Sequence, residues 1–490
     1  MEVRTLRSAS GIGLLHSHRQ STSERGGTSR AADRPRQKET GVKAFETSQE
    51  WHGAVTSTES ASGANTTESG SRRLFFASFL GTMVEWYDFF LYGFIAPLVF
   101  EELFFPKLNA LSGTIAVYAT FAVGYASRPL GGLVFGHFGD KIGRKSMMLV
   151  TLLMMGIGTA AIGLLPSVAQ IGMTATCLLV ALRFVQGFAL GGESAAASLM
   201  VLESAQQRRR GLLGAALQAA GPLGVLLASL AVFVVSRLPH DALLAWGWRV
   251  PFLVSAVLVV IGLYIRLRVE ETVAFRKQQS KHELTRIPAW ETLRSYKWPV
   301  FVVLVVSIME STFYYLTGVY SISYVTKTLH MPGSVAIGAI ACANAFALVS
   351  VPLYGALSDR LGRKGVYLLG IVASAIYLNF FFTMLDGRSA MVVVLAVVAA
   401  VGVIHAPMYA MFGSFYGELF PTRVRFTGFS MGKAFGTVLG GGIAPMIAAS
   451  LAARNHGDPS AIGLYYLCLA FVALCVVLRV RETRHDDITV

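Results

Sequence analysis

The sequence predicts an all-α integral membrane protein of twelve transmembrane helices, arranged as two pseudo-symmetric six-helix bundles. Three observations predict this class. Of the 490 residues, 54% are hydrophobic and 14% are charged, and the mean hydropathy is +0.56, a composition that soluble proteins rarely reach. Twelve apolar runs are long enough for a bilayer span, which needs about 20 apolar residues. A ten-residue motif also occurs twice, at 136–145 and 355–364.

The repeated motif reads GHFGDKIGRK in its first copy and GALSDRLGRK in its second, and the copies lie 219 residues apart. Downstream of each copy, a glutamate precedes an arginine by seven positions, with an offset of 215. These pairs are Glu203 with Arg210 and Glu418 with Arg425. Two landmarks at nearly one offset indicate two halves of one ancestral unit, which is typical of secondary transporters with internal repeats.

The candidate spans divide evenly, six on each side of a polar stretch. They cover residues 74–100, 110–136, 146–166, 170–200, 211–236, 249–268, 299–325, 334–357, 365–385, 390–416, 426–452 and 461–480. This predicts an N-terminal bundle at 73–268, a cytoplasmic linker at 269–298, a C-terminal bundle at 299–480 and a short cytoplasmic tail at 481–490. Residues 1–72 are rich in Ser, Thr, Gly, Glu and Arg and lack a signal-peptide core, so we expect a disordered cytoplasmic extension.

The basic residues predict the orientation. With the N-terminus inside, the inner loops and tail carry 22 Lys and Arg residues, and the outer loops and their edges carry six. This bias places both termini in the cytoplasm of a multi-pass protein. The net charge of +14 is therefore explained without nucleic acid, because no single basic face with interleaved aromatic residues is present.

The two motif loops resemble the signature loop of the major facilitator superfamily, and the resemblance covers about 73–481. The segments EWYDFFLYG, RPLGGLVFGHFGD, RFVQGFALGGES and AWGWRVPF are similar to the metabolite:H⁺ symporter branch. Members of that branch import α-ketoglutarate, shikimate, citrate, or proline and betaine, and the shikimate-type members are the most similar. The branch is mainly bacterial, which implies an inner (plasma) membrane.

The resemblance implies that the signature loops form a conformational latch. Each loop acid faces a helix N-terminus, where the helix dipole favours an anion, and the loop arginines hold the acids by charge-assisted bonds. The predicted latch residues are Gly136, Asp140, Arg144, Lys145, Gly355, Asp359, Arg363, Lys364, Glu203, Arg210, Glu418 and Arg425. The alternative is ordinary charge at the membrane surface.

Ionisable residues inside the spans are costly and usually functional. Arginine grips a carboxylate with two hydrogen bonds, a buried carboxylate can carry a proton, and histidine titrates near neutral pH. The predicted substrate-binding residues are Arg128, Arg183, Trp86, Tyr92, Gln186, Tyr314 and Lys433. The predicted proton-coupling residues are Glu85, Asp88, Glu310 and His405. The alternative for each charge is a structural ion pair between helices.

These observations predict a proton-coupled symporter that imports a small organic acid, such as shikimate or a dicarboxylate, by alternating access. We expect a monomer with no cofactor besides the proton gradient, no metal site and no enzymatic activity, because the sequence has no P-loop, metal-ligand spacing or nucleophile constellation. Alternatives are a proline/betaine-type osmolyte symporter, an exporter of the same fold, and a transporter-like receptor. The tail after residue 480 lacks the coiled coil of proline/betaine transporters, which disfavours osmosensing.

Overall fold

The structure is a computed structural model, in which residues 62–490 form one compact unit. The described residues are 49–490 with short gaps. The gaps are 107–115, 117–118, 121, 269–270, 273–274, 277–278, 280–287, 388, 456–457 and 487–490. Within the described part, all regular secondary structure is helical.

Six long helices form the N-terminal half. They are α1 (Gln49–Ile95), α2 (Arg128–Ile142), α3 (Arg144–Leu164), α4 (Thr174–Ser204), α5 (Gln207–Val235) and α6 (His240–Leu267). Residues 122–126 are also helical and extend α2 at its N-terminal end. The backbone N–H of Ser127, between the two segments, donates to the carbonyl oxygen of Val123.

Six further helices form the C-terminal half, after a short linker helix at Pro288–Ser295. They are α7 (Lys297–Thr326), α8 (Gly333–Leu361), α9 (Arg363–Leu385), α10 (Ala390–Glu418), α11 (Thr422–Ala452) and α12 (Ser460–Arg479). Eleven of the described helices, all except α2, are long and apolar enough by themselves to cross a membrane. The twelve-helix membrane fold predicted from the sequence is confirmed.

The beginning of α1 differs from the prediction. Disorder was predicted over residues 1–72, of which 1–48 lie outside the described residues, and residues 49–72 are helical. The apolar segment Arg72–Ile95 supplies a stable helix, and extending an existing helix requires no new nucleus. Polar residues therefore continue the helix backwards from the span.

The halves meet most closely where α2 crosses α11 and where α8 crosses α5. A Cβ atom on Gly136 would lie 2.8 Å from the Cα atom of Thr427, and one on Gly355 would lie 2.6 Å from the carbonyl oxygen of Gly211. Glycine is required at both positions because the two backbones touch. These equivalent crossings bring the two signature loops, residues 136–145 and 355–364, to one end of the molecule, which we call the signature-loop end.

Candidate transport site

The first signature loop connects the two halves through Asp140. Its carboxylate accepts the backbone N–H groups of Phe426 at 3.2 Å and Thr427 at 2.8 Å, in the first turn of the continuous part of α11. Backbone N–H groups at a helix start lack partners within the helix and favour an anion. Asp140 therefore joins α2 to α11 across the boundary between the halves.

Arg144 holds this acid in place from the start of α3. Its guanidinium lies 3.3 Å from Asp140 and 3.4 Å from Glu203, and it donates to the carbonyl oxygen of Thr422 at 2.8 Å. Glu203 also pairs with Arg425 of the C-terminal half at 3.0 Å. All four charged side chains are fully or almost fully buried, so each charge needs its partner.

The second signature loop repeats this arrangement with the halves exchanged. Asp359 accepts the backbone N–H groups of Gly211 at 3.0 Å and Leu212 at 2.9 Å, at the start of α5. Arg363 lies 2.8 Å from Asp359 and 3.5 Å from Glu418. The four predicted latch acids and three of the four predicted latch arginines are thus brought together in two groups at the signature-loop end.

The remaining predicted latch residues take different contacts. Arg210 donates to the carbonyl oxygen of Asp486 at 3.0 Å, in the C-terminal tail. Lys145 and Lys364 each point their Nζ atom at a carbonyl oxygen near the end of α6 and α12, those of Leu267 and Leu478. The two lysines therefore hold their loops to helices of their own half.

Two glutamates that the prediction missed complete the loops. Glu271 accepts the backbone N–H of Lys145 at 3.0 Å, and Glu482 accepts that of Lys364 at 3.1 Å. The threonine after each glutamate donates at 2.6 Å to an acid of the latch. These donors are Thr272, to Glu203, and Thr483, to Glu418. The signal that could have found them is the repeated Glu-Thr pair, 211 residues apart in VEET and VRET.

A central cavity lies between the halves, with an empty volume of about 1100 Å³ that includes its part open to solvent. Helices α1, α2, α4 and α5 form one wall, and their counterparts α7, α8, α10 and α11 form the other. Polar and aromatic residues of the first wall include Glu85, Trp86, Phe89, Arg128, Ser194 and Gln218. Those of the second wall include Glu310, Tyr314, Asn344, His405, Tyr409 and Lys433.

On the N-terminal wall, one acid and one base are incompletely paired. Glu85 accepts a hydrogen bond from Ser194 at 2.6 Å through Oε1, and its buried Oε2 has no hydrogen-bond partner among the described residues. The guanidinium carbon of Arg128 lies 4.4 Å from the ring centre of Phe89 and 4.0 Å from that of Tyr125. In the described part of the chain, no carboxylate forms an ion pair with Arg128.

On the C-terminal wall, the charges are paired with each other. Glu310 lies 2.8 Å from Nε2 of His405 and 3.1 Å from Nζ of Lys433. The imidazole stacks between aromatic rings, with Tyr409 at 5.3 Å and Tyr314 at 5.2 Å between ring centres. The Lys433 position corresponds to Gln218 at the offset of 215, so the second wall carries a charge where the first has an amide.

Four predicted site residues lie in the interior of the N-terminal half, outside the residues that line the cavity. Arg183 donates to Gln186 at 2.8 Å and lies 3.8 Å from the ring centre of Tyr92. Asp88 accepts hydrogen bonds from Thr159 of α3 and from Ser255 of α6. These groups bind α1 to α3, α4 and α6.

Helix geometry explains the difference. The prediction placed Glu85, Asp88 and Tyr92 on one face because they are spaced by three and four residues. The cavity face of α1 instead carries Glu85, Trp86 and Phe89, and at 3.6 residues per turn Asp88 projects about 100° away from Phe89. Glu85 lies at the edge shared by the two faces.

The comparisons with known proteins agree with this architecture. The family model described as "Major Facilitator Superfamily" matches residues 78–425 and 303–489 of this chain. The chain belongs to the major facilitator superfamily. It is 35% identical over 419 residues to a shikimate transporter of Escherichia coli (strain K12), covering 85% of this chain and 96% of that one. The predicted family and branch are confirmed.

Further relatives carry other names. The chain is 36% identical over 421 residues to the inner membrane metabolite transport protein YhjE of Escherichia coli (strain K12), covering 84% of this chain and 94% of that one. It is 32% identical over 425 residues to a proline/betaine transporter of that strain, covering 84% of each. Among solved structures, the proton:xylose symporter XylE of E. coli has a TM-score of 0.73 at 16% identity, covering 86% of this chain and 98% of that one. The chain is a membrane transporter and not an enzyme.

Proposed function

We propose that this transporter is a proton-coupled symporter that imports a small organic acid by alternating access. The observation that carries the proposal is the cavity between the halves, in which Arg128 has no carboxylate partner among the described residues. A cation at membrane depth is costly without a compensating anion, and the rings of Phe89 and Tyr125 beside Arg128 offset only part of that cost. A substrate carboxylate supplies that charge.

The charges of the cavity favour a monocarboxylate over a dicarboxylate. Lys433, the other permanent cation of the lining, is already paired with Glu310 at 3.1 Å. Only Arg128 among the permanently charged lining bases is left to receive an anion, so a second substrate carboxylate would compete with Glu310. Trp86, Phe89 and Tyr314 offer flat apolar surfaces for the body of the substrate.

Glu85 is the proton carrier in this proposal. It lines the same cavity, its Oε2 atom lacks a partner, and a neutral hydroxyl holds its other oxygen. Carboxyl groups that face a cavity at membrane depth form the proton relays of transporters. Glu310 is held by His405 and Lys433, and it joins α7 to α10 and α11 in the C-terminal wall.

The latch supplies the alternation. In this structure both groups of the latch are formed, so the signature-loop end is closed; the basic loops predict that this end is cytoplasmic. Breaking the contacts of Asp140 and Asp359 would let the halves rotate around the cavity, which would then open at the signature-loop end. Proton and substrate would then leave together.

The second candidate is a betaine or proline symporter. The aromatic rings of Trp86, Tyr314 and Tyr409 around the cavity could hold a quaternary ammonium group, and the proline/betaine relatives support this alternative. Betaine and proline also carry a carboxylate that Arg128 could receive, but the charge of Arg128 in the same cavity lining would repel their ammonium group.

The test is uptake by cells or proteoliposomes that contain the protein. Labelled shikimate, α-ketoglutarate, citrate and glycine betaine are compared, each with and without a protonophore. We expect shikimate alone to accumulate, and we expect the protonophore to abolish this accumulation. Accumulation of betaine alone would replace the proposal with the second candidate. Outward transport of the acid driven by inward proton flow would make the protein an exporter.

A further inference from the structure

The hydroxyl group of Tyr409 is a buried polar group of the cavity that no described residue satisfies. The side chain lies on α10 and lines the cavity, and 7% of the residue is exposed. Its hydroxyl oxygen has no hydrogen-bond partner among the described residues. Buried hydroxyls normally find a partner, and the position of this one in the cavity lining lets a bound molecule supply it.

The ring of Tyr409 is held firmly from three sides. It stacks on His405 at 5.3 Å with 27° between the planes, and Trp86 meets it edge-on at 6.2 Å. On the third side, Phe412 lies 6.5 Å away. Because His405 is bound to Glu310, the ring is fixed to the charged group of the C-terminal wall.

The hydroxyl crosses the cavity to the opposite half. A Cβ atom on Gly221 of α5 would lie 2.6 Å from this oxygen and 3.2 Å from the Trp86 ring. Any residue larger than glycine at position 221 would therefore displace one of the two side chains. The absence of a side chain there leaves the room in which the hydroxyl meets the N-terminal wall, which also carries Glu85 and Arg128.

We infer that Tyr409 determines substrate specificity by forming a hydrogen bond to a hydroxyl group of the transported acid, whose carboxylate Arg128 receives. The inference rests on the proposed function and narrows its substrate class to hydroxylated monocarboxylates. A site with a polar group placed for a substrate hydroxyl rejects the analogue that lacks it, because the protein group is then left unpaired.

The test is the substitution Tyr409→Phe, which removes the hydroxyl and keeps the ring. Uptake of labelled shikimate is measured in competition with two unlabelled acids that share one ring skeleton, shikimate and cyclohex-1-ene-1-carboxylate. In Tyr409→Phe we expect the inhibition constant of shikimate to rise about tenfold, as for the loss of one hydrogen bond, and that of the hydroxyl-free acid to stay unchanged. Gly221→Ala is expected to act in the same direction.

The matched control is Tyr416→Phe. Tyr416 lies seven residues further along α10, outside the cavity lining, with its hydroxyl 3.4 Å from that of Tyr367. It should leave both inhibition constants unchanged. If Tyr409→Phe takes up shikimate as the wild type does, and the ratio of the two inhibition constants is unchanged, this inference alone is overturned. If the wild type takes up none of the tested carboxylates and none of them competes for uptake, the proposed function is overturned, and this inference with it.

Discussion

Asp140 accepts the backbone N–H of Thr427 at 2.8 Å, and this contact joins the two halves of the molecule. Its counterpart, Asp359, accepts the N–H of Leu212 at 2.9 Å. The two contacts lie at the same end and run in opposite directions, from the N-terminal half to the C-terminal half and back. Either one resists separation of the halves at the signature-loop end.

Asp140→Asn should therefore open that end. Replacing the carboxylate weakens two charge-assisted hydrogen bonds, each contributing about 1.5–3 kcal/mol, so the open population should rise at least about tenfold. The reporter is Ser414→Cys, in a protein without its four native cysteines. Ser414 is fully buried and packs on Gly214 across the boundary, so its alkylation rate measures the opening.

Asp359→Asn should raise the alkylation rate in the same way. Asp386→Asn is the control, because Asp386 follows α9 at the other end and binds Tyr324 within its own half. Unchanged alkylation in both signature-loop variants would show that these hydrogen bonds do not hold the closed state.

Removal of the charge should have different effects at Arg128 and Arg183, the two arginines predicted to bind substrate. Arg128→Gln should raise the KM for the acid by more than about tenfold and leave thermal stability unchanged, because Arg128 faces the cavity. Arg183→Gln should lower the Tm of the purified protein, because Arg183 joins helices in the interior. A higher KM at unchanged Tm in Arg183→Gln would return this residue to the substrate site.

Glu85→Gln should separate exchange from accumulation. The amide oxygen can still accept from Ser194, but the side chain no longer carries a proton. We expect substrate exchange across proteoliposomes to continue and accumulation driven by a proton gradient to cease. Glu310→Gln is the matched comparison: it removes the charge that pairs with Lys433, so both activities should fall. Protonophore-sensitive accumulation in Glu85→Gln would exclude Glu85 as the carrier.

The buried pair of Glu193 and Arg266 should matter for stability. Both side chains are almost fully buried, and Glu193 also accepts from Thr151. Glu193→Ala leaves Arg266 uncompensated and should lower the free energy of unfolding by about 3–5 kcal/mol. The control Glu102→Ala removes a half-exposed partner of His240 and should change it by about 0–1 kcal/mol. Chemical denaturation in detergent measures both, and equal effects would contradict the assignment.

The fold was predictable from the sequence, because apolar runs and a repeated motif report directly on spans and halves. The positions of single side chains were less so. Arg266 was counted among the basic residues of an inner loop, and it is fully buried beside Glu193. Periodicity gives the face of a helix but not which neighbour covers that face, which is why Asp88 and Arg183 were placed in the cavity. Tyr409 lies in an apolar run, where an aromatic residue gives no polar signal.

The contacts of Asp140 and Asp359 also say where natural variation can occur. Their partners are backbone N–H groups of residues 211, 212, 426 and 427, which every amino acid except proline provides. The contacts therefore do not depend on which side chains residues 212, 426 and 427 carry. Position 211 is confined to glycine, because a Cβ atom there would lie 2.7 Å from the carbonyl oxygen of Gly355. Homologues should therefore preserve a carboxylate at 140 and 359 and a glycine at 211, beside variable side chains at 212, 426 and 427.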